Sequence, residues 1–254
     1  MSIYKKYFFF IFFLAHSLAG YSATLHSIIV TDTAADTLAL AAGISQKKMV
    51  NQVTNIANQT SLALNLIVIL GENLNDKTIF DAILNLEVNP DDIIVFFWNG
   101  HGYNTLTKSQ KSIWPYLYLT NQRVGIDFEE ITQLLQQKNP QFLLAIADTC
   151  NEIILFPPPL KKYNPCFDAI GILNSTKGYQ ELFLNQKGSL IISSSIVDTY
   201  AYGNDKTGSL FTNAFLHKFN EELHKGPYAS WESILNKVHT HLEQRNQIPQ
   251  WQRL

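Results

Sequence analysis

Five short apolar runs, at residues 25–30, 62–70, 93–98, 142–147 and 189–195, constrain this chain more than any other feature. They are rich in β-branched and aromatic residues and lack polar alternation. Such runs read as strands buried on both faces, which is the condition of a parallel sheet. The stretches between them have helical periodicity. Val50, Val53, Ile56 and Ala57 share one helical face, as do Ile79, Ile83 and Leu86. Asn89-Pro90 and Asn139-Pro140 end two of these stretches. Asp127, with Glu130 three residues on, has the form of a capping box for a helix to Gln137. Two further helices are expected at 211–223 and 231–242, and a long loop region at 151–188. Strand alternating with helix predicts an α/β fold, a three-layer sandwich whose central, mostly parallel sheet is flanked by helices.

The chain has 254 residues, 46% hydrophobic and 16% charged, the balance of a single folded domain. Lys and Arg total 19 against 21 Asp and Glu, which leaves no basic footprint for nucleic acid. Two cysteines, Cys150 and Cys166, are too few for a disulfide framework and lack the spacing of a zinc site. Cys166 is expected to be unpaired, although an oxidising compartment would allow it to pair with Cys150. At the start, Lys5 and Lys6 precede an apolar run at 7–14 and small residues through Ala23, the form of a cleaved signal peptide. The run is well short of the roughly 20 residues that span a bilayer. Residues 1–23 are therefore read as a signal and 24–254 as the mature domain, exported to the periplasm or the exterior with no membrane anchor.

Two polar segments follow comparable apolar strands: Asn99-Gly100-His101-Gly102 and Asp148-Thr149-Cys150-Asn151. In open parallel sheets the reactive groups lie beyond the carboxyl ends of the strands. An imidazole and a thiol there suit nucleophilic catalysis, because a neighbouring histidine can take the thiol proton.

Phe96-Phe97-Trp98-Asn99-Gly100-His101-Gly102 resembles the apolar strand and Ser-Gly-His-Gly segment of the caspase and metacaspase family, with Asn99 where serine is usual. Asp148-Thr149-Cys150-Asn151 is similar to that family's Asp-Ser-Cys-His segment, with Asn151 in place of histidine. Leu190 to Ser195, Gly208-Ser209-Leu210-Phe211-Thr212 and Gln247-Ile248-Pro249-Gln250 resemble its later landmarks, in the right order. The His-to-Cys separation, 150 − 101 = 49 residues, agrees with a spacing of about 50 already known for caspases. The resemblance implies the caspase-like form of the sandwich and a cysteine endopeptidase with a His101–Cys150 dyad. It also implies an oxyanion hole from the N–H groups of Gly102 and Cys150. Metacaspase-like relatives that cleave after Arg or Lys use acidic pocket residues, and Asp148 and Asp32 match those positions, with Asp36 an alternative to Asp32.

No cofactor is expected. Asp91-Asp92 is too slight a cluster for calcium, and His239 and His241 are spaced wrongly for zinc. The expected partner is a peptide or protein substrate, and the expected state is a monomer. Trp114 to Leu119 could line a substrate groove. The rival reading is an inactive domain of the same fold that binds a peptide or partner.

Overall fold

A computed structural model describes residues 23–35, 38–155 and 175–254. Residues 1–22, where a signal was expected, and Asp36 and Cys166 lie outside the described residues. The described chain begins with strand β1 (Thr24–Thr31), helix α1 (Ala39–Thr60), strand β2 (Ala63–Leu70) and helix α2 (Asp76–Leu84). Strand β3 (Ile93–Asn99) passes through Gly100 into short strand β4 (His101–Tyr103) and helical turn α3 (Leu106–Ser109). Strands β5 (Tyr116–Leu119) and β6 (Val124–Asp127) lead into helix α4 (Phe128–Gln137) and strand β7 (Phe142–Asp148). After helical turn α5 (Thr176–Tyr179) come strand β8 (Gly188–Ser193) and the two-residue strands β9 (Gly203–Asn204) and β10 (Gly208–Ser209). Helices α6 (Leu210–Leu223) and α7 (Trp231–Glu243) and strand β11 (Gln250–Arg253) complete it.

The main sheet has the order β11-β8-β7-β3-β1-β2, and all its pairings are parallel except that of β11 with β8. Alternate residues of each central strand feed two separate cores. Ile93, Val95 and Phe97 face the layer of α1, α6 and α7, while Ile94, Phe96 and Trp98 face α2, α4 and the β4-β5-β6 sheet. This explains the unbroken apolar runs, since neither face of β3 or β7 meets water. Each fully buried Phe, Leu or Ile contributes about 1.5–3 kcal/mol relative to exposure. The α/β sandwich expected from the sequence is therefore the observed architecture.

Two expectations need correction, and one element was not foreseen. The run at 62–70 forms β2, but as an edge strand rather than a buried one: Leu64, Val68 and Leu70 stay 37–38% exposed. Its apolarity matches that of the inner strands, so composition could not separate edge from centre. Residues 151–188 are not loop throughout, because α5 and a π-helical turn (Gln180–Leu184) bury Tyr179, Leu182 and Phe183. Residues 101–127 hold a second, antiparallel sheet, β4-β5-β6, whose strands of three or four residues are too short to register as periodicity.

The amino end of the sheet is fixed by Asp92. Its carboxylate accepts from the backbone N–H groups of Thr24 (2.7 Å) and Asn89 (2.7 Å) and lies 3.1 Å from His26 Nε2. His26 Nδ1 is in turn 3.0 Å from Asn65 Nδ2. One buried acid thus aligns the starts of β1, β2 and β3.

Candidate active site

His101 and Cys150 owe their proximity to register. Asn99 of β3 pairs with Asp148 of β7, so each of the two stands two residues beyond the same rung. Beyond that rung the chains stay tied. Asn99 Nδ2 donates to Asp148 O at 3.2 Å, and Thr149 Oγ1 donates to Gly100 O at 2.8 Å. Gly102 closes the gap: a Cβ built there would lie 2.3 Å from Thr149 Oγ1 and 2.8 Å from Cys150 O. Any side chain at 102 would push β4 off the loop that carries Cys150, so the glycine is required by close approach. The backbone N–H groups of Gly102 and Cys150 belong to these two touching segments.

The loop after β7 is held from three directions. Thr149 N donates to Ser194 Oγ (2.9 Å), and Ser195 Oγ donates to Thr149 O (2.7 Å), which ties it to the end of β8. Asn151 is fully buried. Its Nδ2 donates to Ile113 O (2.8 Å) and Ser195 O (3.4 Å), and its Oδ1 accepts from Asn104 Nδ2 (2.8 Å). From the third side, Asp198 N donates to Asn151 O at 2.9 Å and Asn151 N to Thr199 O at 3.0 Å.

That third segment, residues 198–202, crosses the thiol as a strap. Ala201 N donates to Cys150 Sγ at 3.4 Å, and the thiol faces Ala201 O at 3.7 Å. The Tyr200 hydroxyl bonds the Glu152 carboxylate. Gln247, itself buried, supports the strap from below: its Oε1 accepts from Tyr202 N (3.2 Å) and its Nε2 donates to Ser194 O (3.0 Å). Among the described residues, the thiol's hydrogen bonds run to Ala201 rather than to His101. Burial, with a lesser push from the Glu152 and Asp148 charges, raises the thiol pKa to about 11. His101 is displaced the other way, because burial disfavours its cation more than Asp32 favours it. In this state both groups are neutral at ordinary pH.

The two acids bond to different elements. Asp32 is fully buried and its Oδ2 accepts from Thr120 Oγ1 (2.6 Å) in the β5–β6 turn, close enough to influence His101. Asp148 is buried on the α6 side, where its Oδ2 accepts from Thr212 Oγ1 at 2.5 Å and Ser194 and Ser209 also bond it. Burial raises its pKa, and its partners are neutral hydroxyls and a backbone N–H. Of the site residues expected from sequence, the structure brings His101, Gly102, Asp148 and Cys150 to the carboxyl end of the central strands, with Asp32 at the same end of β1, its N–H donating to Asn99 O at 2.9 Å. Sequence reading missed Asn104, Ala201, Tyr200 and Thr212. Only Thr212 had a signal, its place in the Gly208-to-Thr212 segment. Among the described residues no group of three His, Cys, Asp or Glu side chains could hold a metal ion.

A family model described as the caspase domain matches residues 37–254. No curated protein matches the chain. Among solved structures, protein GSU0716 from Geobacter sulfurreducens is similar at 14% identity and a TM-score of 0.58, over 90% of this chain and 92% of that one. At that identity the likeness concerns the fold.

Proposed function

Because the chain belongs to the caspase domain family, we propose that it is a cysteine endopeptidase in which Cys150 attacks and His101 moves the proton. The observation that carries this is the placement of a thiol and an imidazole two residues beyond one rung of the central sheet. Cys150 Sγ forms a bond to the peptide carbonyl carbon as its proton passes to His101. The N–H groups of Gly102 and Cys150 hold the resulting oxyanion. The C–N bond then breaks, His101 protonates the leaving amine, and water hydrolyses the thioester to release the acid and restore the thiol. Cys150 is partly exposed beside the strap, and on attack the thiol exchanges its contacts with Ala201 for the incoming carbonyl.

The proposal extends to cleavage after Arg or Lys. Asp148 is a buried carboxylate with no basic partner among the described residues, and an isolated buried charge is costly. A guanidinium or ammonium from the substrate would supply the missing counter-ion. Asp32 enters differently: its hydrogen bonds and its closeness to His101 suit it to stabilising the imidazolium formed during turnover. Export follows from the leader-like residues 1–23 and is part of the same reading.

The test is labelling with an irreversible peptidyl electrophile bearing Arg at its reactive end, alongside cleavage of Arg, Lys and Asp peptides. Labelling and cleavage after Arg or Lys, both lost in Cys150→Ala, are expected. Preference for Asp would refute the pocket role of Asp148, and absence of labelling and cleavage would leave a peptide-binding domain.

A further inference from the structure

The β4-β5-β6 sheet has two unlike faces. Leu117 and Ile126 point into the core beneath it. On the other face cross-strand partners and alternate residues project together. His101 is paired with Tyr118, and Tyr103 with Tyr116, so the imidazole and three tyrosines share that outer face. The Tyr103 ring lies 5.2 Å from that of Tyr116 and 6.1 Å from that of Tyr118, centroid to centroid. All three tyrosines remain partly exposed.

This face is built as a platform. Tyr103 leans across β5 until its hydroxyl reaches Gly125 on β6, where an added Cβ would lie 2.3 Å away. At the far end Lys108 sits 4.5 Å over the Tyr116 ring and pairs with Asp127 at 2.5 Å, which closes the platform there. The open part is the stretch around Tyr103 and Tyr118, beside His101.

Its position relative to the bond-breaking atoms gives it a direction. Asn104, after β4, bridges to Ile153 in the loop after Cys150, so the order in space is nucleophile loop, β4, β5, β6. Tyr118, on β5, lies on the far side of His101's strand from the loop of Cys150, and Tyr103 stands two residues along that strand. The acyl half of a substrate stays with Cys150, whereas the leaving amine departs past His101, which protonates it. We infer that the Tyr103–Tyr118 platform is a subsite for the leaving half of the substrate and takes an aromatic or large apolar side chain in the first residues after the cut bond. Aromatic rings stack or meet edge-on with such side chains, and the hydroxyls keep the exposed surface wetted when empty. This inference rests on the peptidase reading and adds the residues that follow the cut.

The test uses the intact mature protein and two substrate types. An Arg-coumarylamide, whose leaving group is the same in every assay, reports whether the peptidase works at all. Internally quenched peptides share one acyl half and carry Phe, Leu, Gly or Asp just after the scissile bond. The wild-type protein is expected to prefer Phe over Gly by roughly tenfold in kcat/KM. That ratio is expected to fall toward one in Tyr118→Ala, to survive in Tyr118→Phe, and to fall in Gly125→Val, which displaces Tyr103 without removing it. Coumarylamide cleavage with equal use of Phe and Gly peptides would overturn the subsite while leaving the peptidase reading intact. A preference unchanged in both Tyr118→Ala and Gly125→Val would also overturn it. If neither the Arg-coumarylamide nor an Asp-coumarylamide is cut, the peptidase reading falls and takes the subsite with it.

Discussion

The sulfur of Cys150 is held by a backbone amide, and its chemistry follows from that contact. With burial raising the thiol to about 11, alkylation of the resting protein by iodoacetamide is expected to climb steadily through the alkaline range. A plateau near the usual thiol value would show that the strap does not cover the sulfur in solution. Tyr200 and Glu152 fasten the strap, so Tyr200→Phe is expected to speed alkylation several-fold at neutral pH without changing the melting temperature appreciably. An unchanged rate would assign the closure to the backbone bonds of Asn151 and the support of Gln247. Asn151 stands where the resemblance has histidine, and its amide uses two donors and one acceptor on three separate segments. Its departure from the family pattern is thus matched by a set of partners that an imidazole could not satisfy in the same geometry.

At the level of elements, Asp92 acts as a common anchor for three strands, and its protonation has a computable sign. Burial pushes its pKa up, but the Asn89 and Thr24 N–H groups and His26 outweigh this and hold it below the usual carboxylate value. Its contribution to stability is complete above the unfolded value of 3.8 and is lost as pH falls through the lower folded value. Asp92→Asn is expected to cost about 1–3 kcal/mol at neutral pH and to flatten the acid limb of the stability profile, measured by urea unfolding. An acid limb as steep as that of the wild-type protein would place the sensitivity elsewhere. The central strands and main helices were legible because their periodicity comes from burial on both faces, as at residues 93–98 and 142–147. The placement of Cys150 and His101 was legible because each follows such a strand. The strap, Asn104 and the tyrosine platform were not, since they depend on contacts between segments far apart in the chain and on strands of three or four residues. The edge position of β2 was hidden for another reason: nothing in Ala63–Leu70 distinguishes it from an inner strand.

At the scale of the whole molecule, that edge is an open one among the described residues. Natural edge strands usually carry charge, proline or a bulge, and β2 has none of the first two. Val68→Lys, at a position 38% exposed, is expected to reduce light scattering on concentration or mild heating and to leave peptide cleavage unaffected. Equal scattering would move the association surface away from β2. The order of strands across the sheet also ties the site to distant parts of the chain. Gln247 props both the strap and the end of β8, and Thr212 holds Asp148, yet both are synthesised long after His101 and Cys150. A ribosome-bound chain that already holds His101 and Cys150 therefore still lacks the supports of the strap and of Asp148, and the surroundings of the thiol take their final form only when the last residues are made.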